Sequence, residues 1–448
     1  MKKTVFPFVL LAGLSVFAEA TVSRTLVRQQ WPWHGQVRVD FELAGVTSPV
    51  DIVVSATADG VALDAAALQP LVTGERFALQ NGRHSLSFDP AALIPSRKAG
   101  DFRVTLTPVA SDASMAEVLY KIIDLTTGTV EDVSVGALLS GRYGSVRCPD
   151  EPVAVGGAVT TASYVWTGVT NDVKYVTDYL VLRKIWAKGA TWKTGHGTKA
   201  SPAYVIAPLT NDFYAGVFET TQGQWKKLMG DYPKSQYNGE GVRDRRPAET
   251  VAYDSEVRGT ALYPAKPSGE TFLGRLNRLT GLDCDLPAEF QWEWAAMAGT
   301  GHLTSGYNTN GSEVPGRYSG NGGKPDGALP ARECGPAFGT AYVGSYEASQ
   351  WGLYDCHGNV YEYCLDWWCS QADGSGTDVE ARVNLEGRVN VNFDQPDQQA
   401  RGVNGFSRLS RGGCNEDDSV FVISSIGYGP NTGFRKLGFR VFLNVFDK

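Results

Sequence analysis

The sequence predicts an α+β chain: a small all-β sandwich followed by a larger domain of short strands, short helices and long loops. Three observations carry this. Residues 21 to about 125 contain short runs with apolar residues at every second position. Beyond about 179 the apolar spacing shifts to threes and fours. The load of 51 Gly and 22 Pro in 448 residues suits loops, not long helices.

The length allows about two or three domains. A composition of 42% hydrophobic and 20% charged residues excludes wholesale disorder. A formal charge of −7 excludes a general electrostatic grip on nucleic acid.

Residues 1–20 have the pattern of a bacterial signal peptide. Lys2 and Lys3 precede a mostly apolar run from Val5 to Ala18, and Ala18-Glu19-Ala20 has the small-x-small form of a cleavage site. The run is short for a bilayer span, which needs about 20 residues. No later stretch is apolar enough to be a transmembrane helix. The expected location is secreted, periplasmic or at the cell envelope.

In the first domain, 21–125, Val37, Val39, Phe41 and Leu43 alternate with Arg38, Asp40 and Glu42. The pattern recurs at Ile52, Val54 and Ala56, at Leu86 and Phe88, and at Phe102, Val104 and Leu106. Asp59-Gly60 and Asn81-Gly82 mark turns between runs. Several such strands make a sandwich, read as a spacer or packing module. Residues 126–178, rich in Gly, Val, Thr and Ser, read as a linker that packs on the next domain.

The second domain, 179–448, opens with strand candidates at Tyr179–Arg183 and Phe213–Phe218. Thr221 with Gln224 forms a capping-box pattern that starts a helix carrying Trp225 and Leu228. A second helix covers about 269–280, with Gly281 as its stop. A third opens at Pro287, carries Phe290, Trp294 and Met297, and stops at Gly299.

Seven cysteines, at 148, 284, 334, 356, 364, 369 and 414, give an odd count. Export favours disulfides among them, with at least one thiol left over. Cys364 and Cys369 read as a local disulfide, or as a disulfide half beside a free thiol. The five histidines are scattered, so a His-based metal site is not expected. Trp292, Trp294, Trp367 and Trp368 read as core, not as a sugar platform. Glu416-Asp417-Asp418 reads as a solvated acidic loop, and Arg440 as one half of a buried ion pair.

Six blocks in the second domain resemble the formylglycine-generating enzyme, or sulfatase-modifying factor, family. They are Asp212-FYAGVFETTQGQW-Lys226, Arg246-PAETVAYD-Asp254, Asp285-LPAEFQWEWAAMAGT-Thr300, Gly352-LYDCHGNVYEYCLDWW-Trp368, Arg411-GG-Gly413 and Leu437-GFRVF-Phe442. The resemblance implies a variant C-type-lectin-like fold. It also implies a calcium loop at 355–363, with ligands from the side chains of Asp355 and Glu362 and the carbonyls of Gly358 and Val360. Calcium takes six to eight hard oxygens, and a Gly-Asn turn between two acids can supply them. Asn359 and the Tyr361/Tyr363 pair are expected to be structural.

The family's enzymes oxidise a cysteine of a sulfatase peptide with O2 on Cu(I) held by two cysteines. In this sequence those two positions fall on Asp417 and Val422, and Cys414 stands alone after the glycines. Copper is therefore not expected, because Cu(I) wants paired soft thiolates. An iron sulfoxide-synthase reading fails on the scarcity of histidine. The sequence thus predicts no catalytic residues and a calcium-stabilised binding module for a peptide or glycan ligand. An oxidoreductase with a relocated metal site and a surface structural or adhesion component are the alternatives.

Overall fold

In the computed structural model the chain divides into two compact units, residues 1–117 with 134–142, and 118–133 with 143–448. The structure describes residues 20–29, 35–94, 98–111, 113–147, 153–155, 158–160, 164–194, 204–205, 208–209, 211–239, 243–261, 263–299, 315–322, 339–367, 408–417 and 436–444. Residues 1–19 of the signal-peptide pattern, Trp368, Cys148, Cys334, Cys369, Asp418 and Val422 lie outside these residues.

The first unit contains strands β1 (Thr21–Gln29), β2 (Val37–Ala44), β3 (Val50–Ala58), β4 (Val61–Ala62), β5 (Thr73–Gly74), β6 (Gly82–Phe88) and β7 (Phe102–Ala110). They form two antiparallel sheets, ordered β1-β2-β6-β5 and β4-β3-β7. Alternation along β2 buries Val37, Val39, Phe41 and Leu43, and β3 adds Ile52, Val54 and Ala56. These side chains share one core with Leu86, Phe88 and Leu106. Each buried aliphatic or aromatic side chain contributes about 1.5–3 kcal/mol. The β3–β4 hairpin turns on Asp59 and Gly60, with φ of 49° and 79°. That left-handed pair is the reason for an Asp-Gly dipeptide there.

In the second unit the strands are β8 (Val118–Asp124), β9 (Val130–Ser134), β10 (Val153–Val155), β11 (Ala158–Thr160), β12 (Tyr179–Ile185), β13 (Lys193–Thr194), β14 (Tyr204–Val205), β15 (Phe213–Gly216), β16 (Cys284–Asp285), β17 (Tyr361–Trp367), β18 (Arg408–Arg411), β19 (Leu437–Gly438) and β20 (Phe442–Asn444). The main sheet is ordered β16-β20-β15-β12-β8-β9, and a smaller one β18-β17-β19. In the smaller sheet β17 pairs antiparallel with β18 and parallel with β19.

β8 lies inside the stretch assigned from sequence to the sandwich, yet it pairs with β12 from Tyr179↔Asp124 to Arg183↔Tyr120. Its Leu119, Tyr120, Ile122 and Ile123 are all buried. A strand covered on both faces shows no alternation, so the period-two pattern that marks the sandwich ends before it. Apart from 134–142, the described part of the stretch read as a linker also belongs to this unit. Trp166 is 1% exposed; its Nε1–H donates to the Tyr143 carbonyl at 2.6 Å and its backbone N–H to the Tyr120 hydroxyl at 2.9 Å.

Three helices brace the main sheet's surroundings. Gln222–Met229 is capped by Thr221, whose hydroxyl accepts from Gln224 N–H while the Gln224 side chain accepts from Thr221 N–H. Phe272–Thr280 runs from Thr271 to Gly281, which is left-handed at φ 73°. Glu289–Ala296 starts two residues later than the sequence predicts, because Ala288 is still extended (ψ 155°). Trp225 stacks on Phe272 at 5.5 Å, and both meet the edge of Phe439.

Candidate functional site

Residues 355–360 lead into β17 along a tightly curled path. Asp355, Gly358 and Asn359 have φ of 57°, 77° and 61°. Left-handed backbone costs a non-glycine residue about 1–2 kcal/mol, so neighbouring bonds must hold it. Asn359 supplies most of them. Its amide group donates to Glu219 Oε2 at 2.6 Å and accepts from Ala341 N–H at 2.8 Å. Its backbone N–H reaches the Arg317 carbonyl, and its carbonyl accepts from Asn415 N–H. Asn359 is thus structural, as expected, and so is Tyr363, fully buried with its hydroxyl on the Val251 carbonyl.

Beneath the loop lies a buried ionic cluster. Arg440 grips Glu362 from Nε, at 3.2 and 3.0 Å to the two carboxylate oxygens, and from Nη2 at 2.7 Å. Trp292 Nε1–H adds a fourth contact to Glu362 at 2.6 Å. The remaining Arg440 hydrogens go to the carbonyls of Gly216, Val217 and Tyr354. The sequence-based ion pair for Arg440 is therefore present, with Glu362 as its partner.

Two further acids face this pair. Glu219, fully buried, accepts from Asn359 and from Val360 N–H at 3.1 Å. Asp355, 2% exposed, accepts from Gly344 N–H at 2.6 Å through Oδ2, while its Oδ1 is sealed from water with no partner. Burial pushes the Asp355 carboxyl up to about 6, against the pull of Gly344 N–H and Arg440. Burial, reinforced by the charges of Asp355 and Glu362, raises Glu219 well above the ordinary range. Three carboxylates thus share one guanidinium.

The predicted calcium ligands meet this cluster unevenly. Asp355 Oδ1 is an oxygen in want of a positive partner, which fits a hard cation. Glu362 fits less well: an ionised carboxylate has about four acceptor positions, and Arg440 and Trp292 make four contacts with it. Among the described residues no group of three or more His, Cys, Asp or Glu side chains is arranged to hold a metal. The expected set draws on only two side chains, the rest being carbonyls. Sequence reasoning missed Glu219. Its signal was an acid wedged between the apolar β15 run and the Thr221 cap.

The second region is the segment 408–417, which follows from β18. Cys414 is 1% exposed, and burial pushes its thiol up to about 12. Asp417, at one copper-cysteine position, turns its carboxylate back onto Cys414 N–H at 2.9 Å. Glu416 accepts from the Tyr237 hydroxyl at 3.1 Å and from Lys436 Nζ at 2.5 Å. Both acids are half-buried, and each has a donor within reach. Cys284, Cys356, Cys364 and Cys414 are free and buried. Cys364, read from sequence as part of a local disulfide or beside a free thiol, is an enclosed free thiol raised well above its ordinary value by burial and then by Asp366. Trp292 and Trp294 are core residues, 1% and 4% exposed.

The part of the chain that holds the 355–362 loop and Arg411-Gly-Gly matches a known domain family. The model of the sulfatase-modifying factor enzyme 1-like domain (FGE-sulfatase) aligns with residues 159–445. The chain belongs to that family. It is 28% identical over 265 residues to the chaperone protein LppX of Paenibacillus barcinonensis, covering 51% of this chain and 90% of that protein. It is 34% identical over 105 residues to the formylglycine-generating enzyme of Thermomonospora curvata, covering 23% of this chain and 33% of that enzyme. Among solved structures, Treponema denticola variable protein 1 is similar at 20% identity and a TM-score of 0.42, over 60% of this chain and 96% of that one. No helix among the described residues is long and apolar enough to cross a membrane.

Proposed function

We propose that the chain is an exported binding module of the sulfatase-modifying factor family, stabilised by calcium and without the family's copper chemistry. The carrying observation is Asp417. Of the two copper-cysteine positions it is the one within the described residues, and its carboxylate is committed to the backbone of Cys414. With Asp417 a hard ligand and Val422 none, the paired soft thiolates that Cu(I) wants are missing. The calcium part of the reading rests on Asp355 Oδ1, a buried oxygen lacking a partner. Asp355, with the carbonyls of Gly358 and Val360, would hold the ion, and Glu362 would join after loosening from Arg440. The ion would supply positive charge where three acids meet one guanidinium. Export rests on the 1–20 pattern, and cell fractionation tests it.

The decisive experiment incubates the purified protein with Cu(I), O2 and a sulfatase-type peptide. No aldehyde is expected. Conversion of the peptide cysteine to formylglycine would overturn the reading.

A further inference from the structure

The second unit carries an open cleft of about 540 Å³, a size that suits a small-molecule ligand. One face of the Gln222–Met229 helix lines it. Gly223, Lys226 and Lys227, with Gly230 just past the helix end, fall at i, i+3, i+4 and i+7 and so share that face. The lining also takes in Asp178, which follows the short Lys174–Thr177 helix, and Tyr232, Asp244 and Arg245. Glycine at 223 lets the helix and the 243–245 turn meet: a Cβ there would sit 2.8 Å from the Asp244 carbonyl oxygen. None of these residues belongs to the 355–362 loop or to the 408–417 segment.

The charges of the cleft are unevenly matched. Its acids are engaged. Asp178 accepts from Lys227 Nζ at 2.7 Å and from the Thr177 hydroxyl at 2.8 Å. Asp244 accepts from the Tyr232 hydroxyl at 2.6 Å. Lys226 and Arg245 are exposed, and among the described residues neither makes an ion pair. Each instead rests on an aromatic ring, Lys226 on Tyr232 at 4.3 Å and Arg245 on Tyr342 at 4.5 Å. Arg243, beside the cleft, lies 3.5 Å from the centre of the same Tyr232 ring. Two cationic heads are thus held within 4.3 Å of one point. Such ring contacts steady a cation without neutralising it. In a chain of formal charge −7, this cleft is a local positive field.

We infer that this cleft binds a phosphate monoester on a small, sugar-sized molecule, with Lys226 and Arg245 as the residues that hold the phosphate. Such an ester carries nearly two negative charges at neutral pH and three strong acceptor oxygens. It can therefore meet several separate cations at once, with lysine acting as a point charge and arginine as a fork. Cations gathered this closely repel one another, and a dianion removes that repulsion. A carboxylate or a sulfate ester brings a single charge and leaves part of the field unmatched. The inference goes beyond the binding-module reading and does not rest on it: aldehyde formation would overturn that reading and leave this cleft untouched.

The test measures binding of glucose 6-phosphate, glucose 6-sulfate and glucose to the full chain by calorimetry at pH 7.5 and low salt. The phosphate should bind tenfold or more tighter than glucose, with the sulfate between them. Lys226→Gln and Arg245→Gln should each weaken phosphate binding several-fold, and the double variant should lose the preference. Both side chains are exposed, so the fold should tolerate these changes. Lys266→Gln removes an exposed charge that does not line the cleft, and it should leave binding as it is. A measurement on the wild type needs no variant: glucose 6-phosphate should slow acetylation of Lys226, located by peptide mapping, and glucose should not. The inference is overturned by a phosphate that binds no tighter than the sulfate or than glucose, by a preference that persists in the double variant, by an equal loss in Lys266→Gln, or by Lys226 left unprotected.

Discussion

Arg440 and Glu362 face each other as a forked ion pair, each 1% exposed, with contacts of 2.7–3.2 Å. One lies at the end of the Gly-Phe-Arg segment before β20, the other in β17. The pair therefore joins the C-terminal segment to the loop that carries Asp355.

Removing one member leaves the other charged and buried. Arg440→Met should destabilise the protein by about 3–5 kcal/mol, read from the urea midpoint. Restoring an uncharged pair with Glu362→Leu in the same chain should recover most of that loss. A double variant as unstable as the single one would contradict this account.

Calcium should raise the melting temperature of the wild type and EDTA should lower it. At a hundred times Kd, an ion bound only to the folded state adds roughly 2.7 kcal/mol. Asp355→Ala should abolish the response. An EDTA-insensitive wild type would mean that no ion occupies the loop.

Cys356 and Cys414 are each held up to about 12 by burial. The unfolded chain releases these protons near the ordinary thiol value of about 8.5, while the folded chain keeps them. Their effect on stability is thus flat below that value, and stability falls as pH rises from there towards 12. Urea midpoints at pH 8, 9 and 10 should decline in order. The native protein at pH 8 should leave both thiols unlabelled by iodoacetamide, with labelling appearing on unfolding.

Thr221 closes a capping box, and its hydroxyl also donates to the Val176 carbonyl at 2.6 Å. Thr221→Ala should cost about 1–2 kcal/mol, measured by chemical denaturation. Thr221→Ser, which retains the oxygen, should cost less than half as much.

Local chemistry was readable where it decides structure locally. Alternation at Val37–Leu43 gave the sandwich core, and Thr221 and Gly281 marked helix ends to the residue, because caps and pleats depend on near neighbours. Arg440 was readable as a buried ion pair, since an arginine within an apolar run has few other fates. What the pattern left hidden depends on distant contacts. β8 has no alternation to show because both of its faces are covered. Glu219 gains its meaning from Asp355 and Asn359, about 140 residues away.

The place of β8 in the main sheet has a practical consequence. The family match begins at 159, but β8 and β9 precede it and extend the sheet beyond β12. A fragment trimmed to the match would leave the Tyr179–Ile185 backbone donors and acceptors open along one side, with its apolar side chains stripped of cover. Such an exposed edge recruits other chains. Recombinant fragments that begin at or before 118 should stay dispersed, whereas those cut at 159 should precipitate.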